Sequence, residues 1–451
     1  MNRNITRRQL LNTGGTVAAG LTMNTLLRDA RAAEANERFT IALIGCGGMG
    51  RRNMVFHQQT GQCDVAAVCD VDVQQSLEAV KMALEAGAPK PPDIVSNYKQ
   101  ILDRKDVDIV IIATPDHWHA IPFLHACAAG KDVYCEKPCC HNIREGRLMV
   151  NAANKYRRIV QVGTLQRSQK HFQEARDFIQ QGKLGKITMT HTYTHGNESP
   201  KGMGNEPDSE PPNGVDYNAW LGPAPRRPFN ARRFHRNWRW YFDYGAGMVG
   251  DWNVHLQDIV QWVMRTPHPV SVNTEGGHYV LEDDRDTPDT MQAVYEFGDY
   301  VQTFSMRKAS GKPWNLPGGH GMDFYGTNGM LHIDRTSWRI EGDEVDWSDQ
   351  NNHELRTPNL EAKGRTIYDP HIQNFVECVR SRKTPISPIE DHYQIAVSCH
   401  LANISYKVKR KVFWDHNREL CFKDRELTVP DKEANGYLSR EYRKGYELPA
   451  V

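Results

Sequence analysis

An acidic and a basic side chain, Asp251 and His255, lie four residues apart in a stretch suited to proton transfer. The apolar residues Ile259 and Trp262 follow them and continue one stripe of an amphipathic helix. Residues four apart share a helix face, so the carboxylate is expected to fix the tautomer of the imidazole and raise its basicity. His255 could then remove a proton from a substrate hydroxyl. The same spacing also occurs in ordinary pairs on a helix surface.

A lysine follows a strand-like apolar run in the sequence Glu136-Lys137-Pro138. The run, residues 132–135, is short and buried in character, which places Lys137 at the end of a predicted strand. Burial readily shifts the pKa of a lysine, so a lysine there could polarise a substrate or relay a proton. The alternative is a surface lysine in a loop.

A dinucleotide-binding loop is predicted between a strand and a helix near the start of the chain. Residues 38–45 are apolar and β-branched, and the glycines that follow have the spacing G-x-G-x-x-G. The residues predicted to cradle a pyrophosphate are Gly45, Gly47, Gly48, Met49 and Gly50. Asp70 ends the next apolar run, 20 residues beyond the last glycine, where it would bind the adenosine ribose. Val71 follows it instead of an arginine, which favours NAD, with NADP left open.

The same βαβ pattern continues, and two more segments are expected at the carboxyl edge of the parallel sheet. Residues 108–113 form an apolar strand that leads into 114–119, and the run before 136–138 leads into the lysine segment. The cofactor contacts predicted there are Thr114, Pro115, His119, Glu136 and Lys137. Trp118 and Arg167 are candidate substrate contacts, although Trp118 could equally belong to the core. The spacing of His117 and His119 is not that of a zinc site, so no metal is predicted.

The second half of the chain alternates with period two from Lys186 and continues in further strand-like runs, which indicates a sheet. These runs lie near 269–280, 291–297, 300–307, 321–326 and 330–333. The predicted fold class is an α/β Rossmann domain, residues 38–162, followed by an α+β domain, residues 163–451, with a large, mainly antiparallel open sheet.

An insertion, roughly residues 196–240, interrupts this half and is rich in Pro, Gly, Arg and Trp. Long loops in compact domains are usually functional, and tryptophan faces with guanidinium donors suit a sugar or polyol. Trp238, Arg239 and Trp240 are therefore predicted to contact substrate. The alternative is a packed interdomain loop.

Charge and cysteine content exclude several classes of partner. Lys and Arg number 56 against 55 Asp and Glu, so nothing favours nucleic acid or anionic lipid. Nothing approaches the roughly 18 consecutive apolar residues of a membrane span. The ten scattered cysteines are predicted to be buried free thiols. Residues 1–33 nevertheless resemble a twin-arginine export signal, with Arg7 and Arg8 before an apolar stretch. The protein is therefore expected to be exported, for example to the periplasm, by the twin-arginine translocation machinery.

The order strand, glycine loop, Asp, T-P-x-x-x-H, E-K-P and D-x-x-x-H resembles the Gfo/Idh/MocA oxidoreductase family over essentially the whole chain after residue 33. The resemblance implies an NAD-binding Rossmann domain, Lys137 beside the nicotinamide and the substrate, and His255 as the catalytic acid/base with Asp251. It also implies a cis bond before Pro138, a further acidic position at Asp258 whose role is less certain, and subunit contacts through the open sheet. A homo-oligomer is expected on that basis.

Three functions remain open. The first is an NAD(P)-dependent oxidoreductase acting on a hydroxyl of a sugar, glycoside or cyclitol. Free NAD is scarce outside the cytoplasm, so its nucleotide should be tightly bound and recycled. The second is a glycosidase or lyase working by transient oxidation and elimination. It needs one extra base, for which the candidates are His191, Tyr193, His195 and His320. The third is a non-catalytic, NAD-loaded binding protein.

Overall fold

The computed structural model describes residues 38–310, 319–348, 353–365 and 367–451. The predicted export signal, residues 1–33, lies outside the described residues. None of the helices in the described ranges is long and apolar enough to cross a membrane. All ten cysteines lie in those ranges, and each is free and buried, as predicted.

A six-stranded parallel sheet forms the first domain, with the strand order β3-β2-β1-β4-β5-β6. Its strands are β1 (Phe39–Ile44), β2 (Cys63–Cys69), β3 (Asp93–Val95), β4 (Ile109–Ile112), β5 (Asp132–Cys135) and β6 (Val160–Val162). Its helices are α1 (Gly48–Gln59), α2 (Val73–Glu85), α3 (Tyr98–Leu102), α4 (Ala120–Ala128) and α5 (Ile143–Lys155). The central strands are buried on both faces because helices cover both sides. The predicted Rossmann architecture is confirmed.

A ten-stranded sheet forms the second domain, with the order β14-β13-β12-β11-β7-β10-β9-β8-β15-β16. The strands are β7 (Ile187–His195), β8 (Ser271–Gly277), β9 (Thr290–Glu296), β10 (Val301–Arg307), β11 (His320–Gly326), β12 (Gly329–Ile333), β13 (Ser337–Gly342), β14 (Leu360–Lys363), β15 (Val412–Asp415) and β16 (Leu420–Phe422). β7 runs parallel to β10, and the other pairs are antiparallel, so the predicted mainly antiparallel sheet is confirmed.

The two faces of this sheet have different surroundings. On β7 Thr190, Thr192 and Thr194 point to an inner face, where Thr192 Oγ1 donates to Asn253 Oδ1 at 3.2 Å. The inner face packs on the helices α6 (Lys170–Gln180), α8 (Val254–Met264) and α10 (Ile389–Val408). Met189 alternates with those threonines and is 38% exposed on the outer face. A residue's position in the alternation therefore decides whether it faces the rest of the molecule.

Helix α9 (Asp369–Ser381) returns from late in the chain to the first domain. Ile372 and Phe375 pack in the same core cluster as Ile41 and Leu43 of β1. The Gln161 amide of β6 also donates to the His371 carbonyl at 2.7 Å. Residues beyond 162 thus complete one helical layer of the nucleotide-binding domain.

The insertion folds around an aromatic cluster that includes Trp220, Phe229, Phe234 and Tyr244. It contains the short helix α7 (Tyr217–Leu221) and a 3₁₀ turn at His235–Trp240, and a π-helical turn, Val249–Asn253, follows it. The last short helix of the chain is α11 (Lys432–Gly436).

Candidate functional site

The glycine loop between β1 and α1 leaves open space where a pyrophosphate would lie. Gly45 has φ of +91°, and a Cβ there would lie 2.6 Å from Thr114 N. A Cβ on Gly50 would lie 2.0 Å from the Gly45 carbonyl oxygen, so the loop and α1 touch at this point. A Cβ on Gly47 or Gly48, in contrast, would meet no atom within 4 Å. The first and third motif glycines are required by packing, and the middle ones keep the helix N-terminus accessible to an anion.

Asp70 is fixed at the end of β2 by two backbone amides. Its Oδ2 accepts from Cys46 N at 2.6 Å, and its Oδ1 accepts from Asp72 N at 2.9 Å. Burial raises the pKa of its carboxyl, and those two amide bonds act against the rise. Each oxygen keeps a lone pair for a ribose hydroxyl, whereas a 2′-phosphate would meet a carboxylate. The loop and Asp70 together fit NAD.

Glu136 and His119 hold the neighbouring loops in place. Glu136 is buried and accepts from the Asn53 side chain of α1 at 2.7 Å, which ties the end of β5 to that helix. His119 lies between the carbonyl oxygens of Pro138 and Thr114, at 2.7 and 2.9 Å. Burial lowers the pKa of His119 to about 4. The bond between Lys137 and Pro138 is cis.

Lys137 meets Asp251, and this ion pair joins the two domains. Lys137 Nζ donates to the Asp251 carbonyl at 2.7 Å and to Asp251 Oδ1 at 3.0 Å. Arg239 Nε approaches the same carboxylate oxygen at 3.2 Å. Burial acts to raise the pKa of Asp251, but Lys137 and Arg239 together hold it below its ordinary value. The carboxylate is therefore ionised and clamps two cations.

The predicted pairing of Asp251 with His255 is wrong. Residues 249–253 form a π-helical turn with i→i+5 hydrogen bonds, so the α-helical spacing rule does not apply across it. His255 Nδ1 is buried and has no hydrogen-bond partner among the described residues. Burial lowers the pKa of His255 well below its ordinary value, and the nearby Lys137 and Arg335 lower it further. The imidazole is neutral, which is the form that can accept a proton.

Two charged residues at the site had not been predicted. Asp116 follows Pro115 at the sheet edge, is buried, and has an Oδ1 without a partner among the described residues. Burial raises the pKa of its carboxyl well above the ordinary value, although Lys137 opposes the rise. The sequence feature that could have identified Asp116 is its position within 114–119, the segment expected at the carboxyl edge of the sheet. Arg335 follows β12, and its guanidinium lies 4.6 Å from the ring centre of Trp252. No periodicity marks it in the sequence.

Three predicted substrate contacts each have protein partners in the structure. The Trp118 indole donates to the carbonyls of Ala219 and Trp220 at 3.1 and 3.0 Å, which anchors the insertion. Arg167 is buried and binds the carboxylates of Asp258 and Asp391. Trp240 stacks with the guanidinium of a neighbouring arginine, 5.2 Å from its ring centre. The insertion residues at the site are therefore Arg239 and, beside it, Trp238, whose ring centre is 4.8 Å from that guanidinium.

Strand alternation separates the four candidate elimination bases. His191, Tyr193 and His195 alternate with the inward threonines and lie on the outer face, where His191 and His195 line an open trough of about 440 Å³. His320 pairs with Thr194 and shares its inner face. Its ring centre lies 4.2 Å from that of Trp252, which in turn lies 6.0 Å from that of His255. Of the four, His320 is the one beside the site.

No group of three or more metal-ligating side chains occurs in the part of the chain that the structure describes. His117, whose spacing from His119 does not suit zinc, donates through Nε2 to the Trp220 carbonyl of the insertion at 2.9 Å.

Comparison with known sequences agrees with this geometry. Residues 39–164 match the NAD-binding Rossmann fold of the Gfo/Idh/MocA oxidoreductase family, and residues 171–300 match that family's C-terminal alpha/beta domain. Together the two matches span more than half of the chain. The chain belongs to the Gfo/Idh/MocA oxidoreductase family. Its first domain is thus an NAD-binding domain of a known family, and the cofactor prediction is confirmed.

Two curated relatives are similar to the chain over part of their length. An inositol 2-dehydrogenase of Pseudarthrobacter chlorophenolicus is 30% identical over 172 residues, 38% of this chain and 49% of the relative. A glycosyl hydrolase family 109 protein of Shewanella pealeana is 28% identical over 170 residues, 34% of this chain and 37% of the relative. The chain thus spans less than half the length of these relatives.

Solved structures share the fold at low identity. A levoglucosan dehydrogenase in complex with NADH and levoglucosan has a TM-score of 0.61 and 18% identity, covering 83% of this chain and 99% of that one. An aldose-aldose oxidoreductase of Caulobacter crescentus complexed with glycerol has a TM-score of 0.62 and 17% identity, with coverages of 83% and 99%. At this identity the likeness supports the fold alone.

Proposed function

We propose that the protein is an NAD(P)-dependent oxidoreductase that acts on a hydroxyl of a sugar, glycoside or cyclitol. The observation that carries the proposal is the ion pair of Lys137 with Asp251 at the sheet edge that bears the glycine loop, with His255 close enough for Lys137 to lower its pKa. The relatedness to an inositol 2-dehydrogenase supports a polyol or sugar as the substrate class.

Each residue has a defined role in the oxidation. His255 accepts the proton of the substrate hydroxyl, because its imidazole is neutral. Lys137 Nζ donates a hydrogen bond to the same oxygen and stabilises the negative charge that develops there as the carbonyl forms. Asp251 positions Lys137 through two hydrogen bonds. When bound, NAD supplies the acceptor and donor of the hydride.

Contacts of the insertion at both ends of the nucleotide groove support tight retention of the nucleotide. At the ribose end, His235 Nε2 lies 2.9 Å from Asp72 Oδ2, two residues beyond Asp70. The backbone amide of Asp216 also donates to the Val71 carbonyl at 2.8 Å. At the opposite end, the Trp118 indole donates to the Ala219 and Trp220 carbonyls of the insertion, and Arg239 of the insertion lies against the Asp251 carboxylate. A nucleotide lying between these contacts would dissociate only after several of them had opened.

The C-terminal tail fastens the insertion further. Arg443 Nε donates to the Gly222 carbonyl at 2.8 Å, and its Nη2 donates to the Asn218 carbonyl at 2.6 Å. Arg440 Nη2 donates to the His117 carbonyl at 2.8 Å. By fixing these loops beside the nucleotide groove, the bonds support a nucleotide that stays in place between reactions. It would then be recycled within the site, with a second substrate taking the hydride that the first one gave up.

We further propose export by the twin-arginine route. Residues 1–33 carry the sequence features that motivate this, and the route accepts proteins that are already folded. The buried free thiols of the ten cysteines fit a protein that folds in a reducing compartment before it crosses the membrane. Because free NAD is scarce outside the cytoplasm, an exported enzyme could not replace a lost nucleotide, so export agrees with a nucleotide that stays bound.

A second candidate function is a glycosidase or lyase that oxidises a hydroxyl transiently. The ketone acidifies the neighbouring C–H, a base takes that proton, the aglycone leaves with the bonding electrons, water adds, and the ketone is reduced back. His320 favours this candidate because it lies beside Trp252 on the inner face, and burial lowers its pKa to about 4, so that it is a neutral base. A relative named as a glycosyl hydrolase is consistent with it.

One purification tests the central claims. The protein is prepared without added nucleotide, denatured, and the released dinucleotide is measured by mass spectrometry. About one NAD or NADP per chain is expected. The intact protein is then given sugars singly, in pairs and as glycosides, without added cofactor, while the absorbance of reduced nicotinamide and the products are followed. Exchange between two sugars supports the oxidoreductase, and release of an aglycone without net redox change supports the glycosidase.

The variant His255→Asn separates catalysis from binding. It should keep the nucleotide and lose both reactions, whereas a pure binding protein would keep its sugar affinity and show no reaction in either form. Wild-type protein that contains no nucleotide would contradict the retention proposal.

A further inference from the structure

A cavity of about 250 Å³ lies where four chain segments meet, apart from the residues that the proposed reaction uses. The segments are residues 141–142 before α5, residues 242–246 after the insertion, helix α10, and residues 437–441 of the C-terminal tail. The volume is slightly below the range of about 300–1,000 Å³ in which drug-sized ligands bind, so the cavity suits a molecule as large as one sugar ring.

Helix α10 presents three polar side chains to this cavity from one face. His400, Asn403 and Lys407 are spaced three and four residues apart, and all three line the cavity. His400 Nε2 donates to the Cys140 carbonyl at 3.2 Å, and Asn403 Nδ2 donates to the Ala246 carbonyl at 3.0 Å. His400 Nδ1 and Asn403 Oδ1 are thus left as acceptors without a partner among the described residues. Both residues are more than nine-tenths buried, so a donor from a ligand would be favourable there.

Lys407 brings an ammonium group to the same cavity without an acceptor for it. Its Nζ lies 4.1 Å from the ring centre of Phe242 and 4.9 Å from that of Tyr437, so two aromatic rings hold the group in place. Within the described ranges, no side chain or carbonyl accepts a hydrogen bond from it. Asp243 and Asp286 act on its pKa, but Asp243 is paired with an arginine and Asp286 accepts from the Phe242 amide. The ammonium therefore has hydrogen bonds to offer to a ligand.

We propose that this cavity binds a neutral monosaccharide or cyclitol, at a site distinct from the one that holds the substrate. The cavity offers donors on Lys407 and acceptors on His400 and Asn403. A hydroxyl group both accepts and donates, whereas a carboxylate only accepts and an ammonium only donates. A ring that carries several hydroxyls is therefore the class of molecule that can satisfy all three side chains at once.

Ala246 separates the cavity from the catalytic residues. Its carbonyl accepts from Asn403 on the cavity side, and its Cβ would lie 2.6 Å from a Cβ on Gly250, the residue before Asp251. Neither Lys137 nor His255 lines the cavity. The two sites thus share a wall but no side chain, and binding in the cavity requires no turnover.

Calorimetric titration of the purified protein with glucose and with myo-inositol measures this binding. Lys407→Met keeps the aliphatic stem between the two rings and should weaken binding in the cavity roughly tenfold or more, the usual effect of losing a hydrogen bond to a charged group. Lys409→Met is the matched control, because Lys409 Nζ also lies over an aromatic ring, 3.8 Å from the ring centre of Tyr406, but does not line the cavity. The control should bind both molecules as wild type does.

A measurement on the wild-type protein covers the case in which Lys407→Met does not fold. Either molecule, at saturating concentration, should slow amide hydrogen exchange in residues 437–441, which line the cavity from the tail.

The outcomes separate this inference from the proposed function. Binding that Lys407→Met leaves unchanged, or exchange in 437–441 that neither molecule slows, would overturn the inference while the oxidoreductase stands. Acetate that binds more tightly than both molecules, and only when Lys407 is present, would overturn the assignment to a polyol. Binding of glucose or myo-inositol that depends on Lys407, in a protein whose nucleotide no sugar reduces, would support the inference and contradict the proposed function.

Discussion

Substitution of two glycines in one loop should have different effects on stability and the same effect on nucleotide binding. In Gly50→Ala the new Cβ would lie 2.0 Å from the Gly45 carbonyl oxygen and 3.2 Å from Ala113 Cβ. Helix α1 must therefore move away from the loop. Such overpacking costs about 1–3 kcal/mol of the free energy of unfolding. The shift also spoils the cradle for the pyrophosphate.

Gly47→Ala should leave the nucleotide-free fold intact. Gly47 has φ of −63°, which alanine adopts readily, and its Cβ would meet no protein atom within 4 Å. Alanine restricts the unfolded chain, which favours the variant by about 0.4–1 kcal/mol. Gly47 is, however, the N-cap of α1, where glycine is preferred to alanine, so the stability of the nucleotide-free variant should stay close to that of wild type. The methyl group would, however, occupy the space in which the pyrophosphate approaches the backbone, so the variant should lose its nucleotide.

The assay measures two quantities on each protein: dinucleotide released per chain, and the free energy of unfolding by urea after the nucleotide has been removed. Gly61→Ala, at a surface turn with φ of +72° and no Cβ neighbour within 4 Å, reports the cost of a positive φ without any effect on nucleotide content. A Gly47→Ala protein that still contains about one nucleotide per chain would refute the assignment of this loop as the cradle. An unfolding free energy of Gly50→Ala equal to that of wild type would refute the packing argument.

Three further predictions follow from the contacts at the site. Asp251→Asn removes the counter-charge that Lys137 and Arg239 share and should cut turnover at least about tenfold with nucleotide content unchanged. The control Asp243→Asn breaks the ion pair of Asp243 with Arg227 and should not reduce turnover. Equal losses in the two variants would contradict the role of Asp251. His235→Ala should speed nucleotide release roughly two- to tenfold in a stopped-flow trap experiment, and an unchanged rate would remove that contact from the retention argument. Burial lowers the pKa of His117 to about 3 and of His119 to about 4, below the unfolded value near 6.5. The contribution of each histidine to stability is therefore complete above about pH 6.5. Below that pH the free energy of unfolding should fall by about 1.4 kcal/mol per pH unit and per histidine toward pH 4, because the unfolded chain takes up protons that the folded chain does not. A free energy of unfolding in urea that does not change over this pH range would contradict the prediction.

Local patterns were sufficient for the nucleotide-binding domain. Each pattern used there depends only on residues that are close together in the chain: the glycine spacing, the apolar run ending at Asp70 and the buried strands. Local backbone geometry fixes these patterns, so the sequence shows them directly. The strands β7 to β12 were likewise predictable from their alternation. β13 to β16 were not predicted: β15 and β16 have only four and three residues, and β14 has hardly any buried residue to reveal its face. β13 alternates over six residues and was missed. Helix α9 could be predicted as a helix, but its place against β1 could not.

The contact between Asp251 and His255 was wrongly predicted because one assumption about helix geometry failed. The prediction for Asp251 and His255 requires continuous α-helical winding between them. The π-helical turn at 249–253 changes the angle between successive side chains, and the carboxylate meets Lys137 from the other domain instead. Such turns are frequent at functional sites and have no simple sequence signature. The ion pairs of Arg167 could not be predicted for a different reason: its partners, Asp258 and Asp391, are far away in sequence.

The charges around His255 come from chain segments that only the tertiary fold brings together. Lys137 follows a strand of the first domain, Arg239 belongs to the insertion, and Arg335 lies in a turn of the second sheet. Burial is the main reason that the pKa of His255 lies well below its ordinary value, and Lys137 and Arg335 lower it further. The residue that accepts the proton is thus coupled to cations of two other segments through one electrostatic field, so Arg335→Gln should raise the proton affinity of His255.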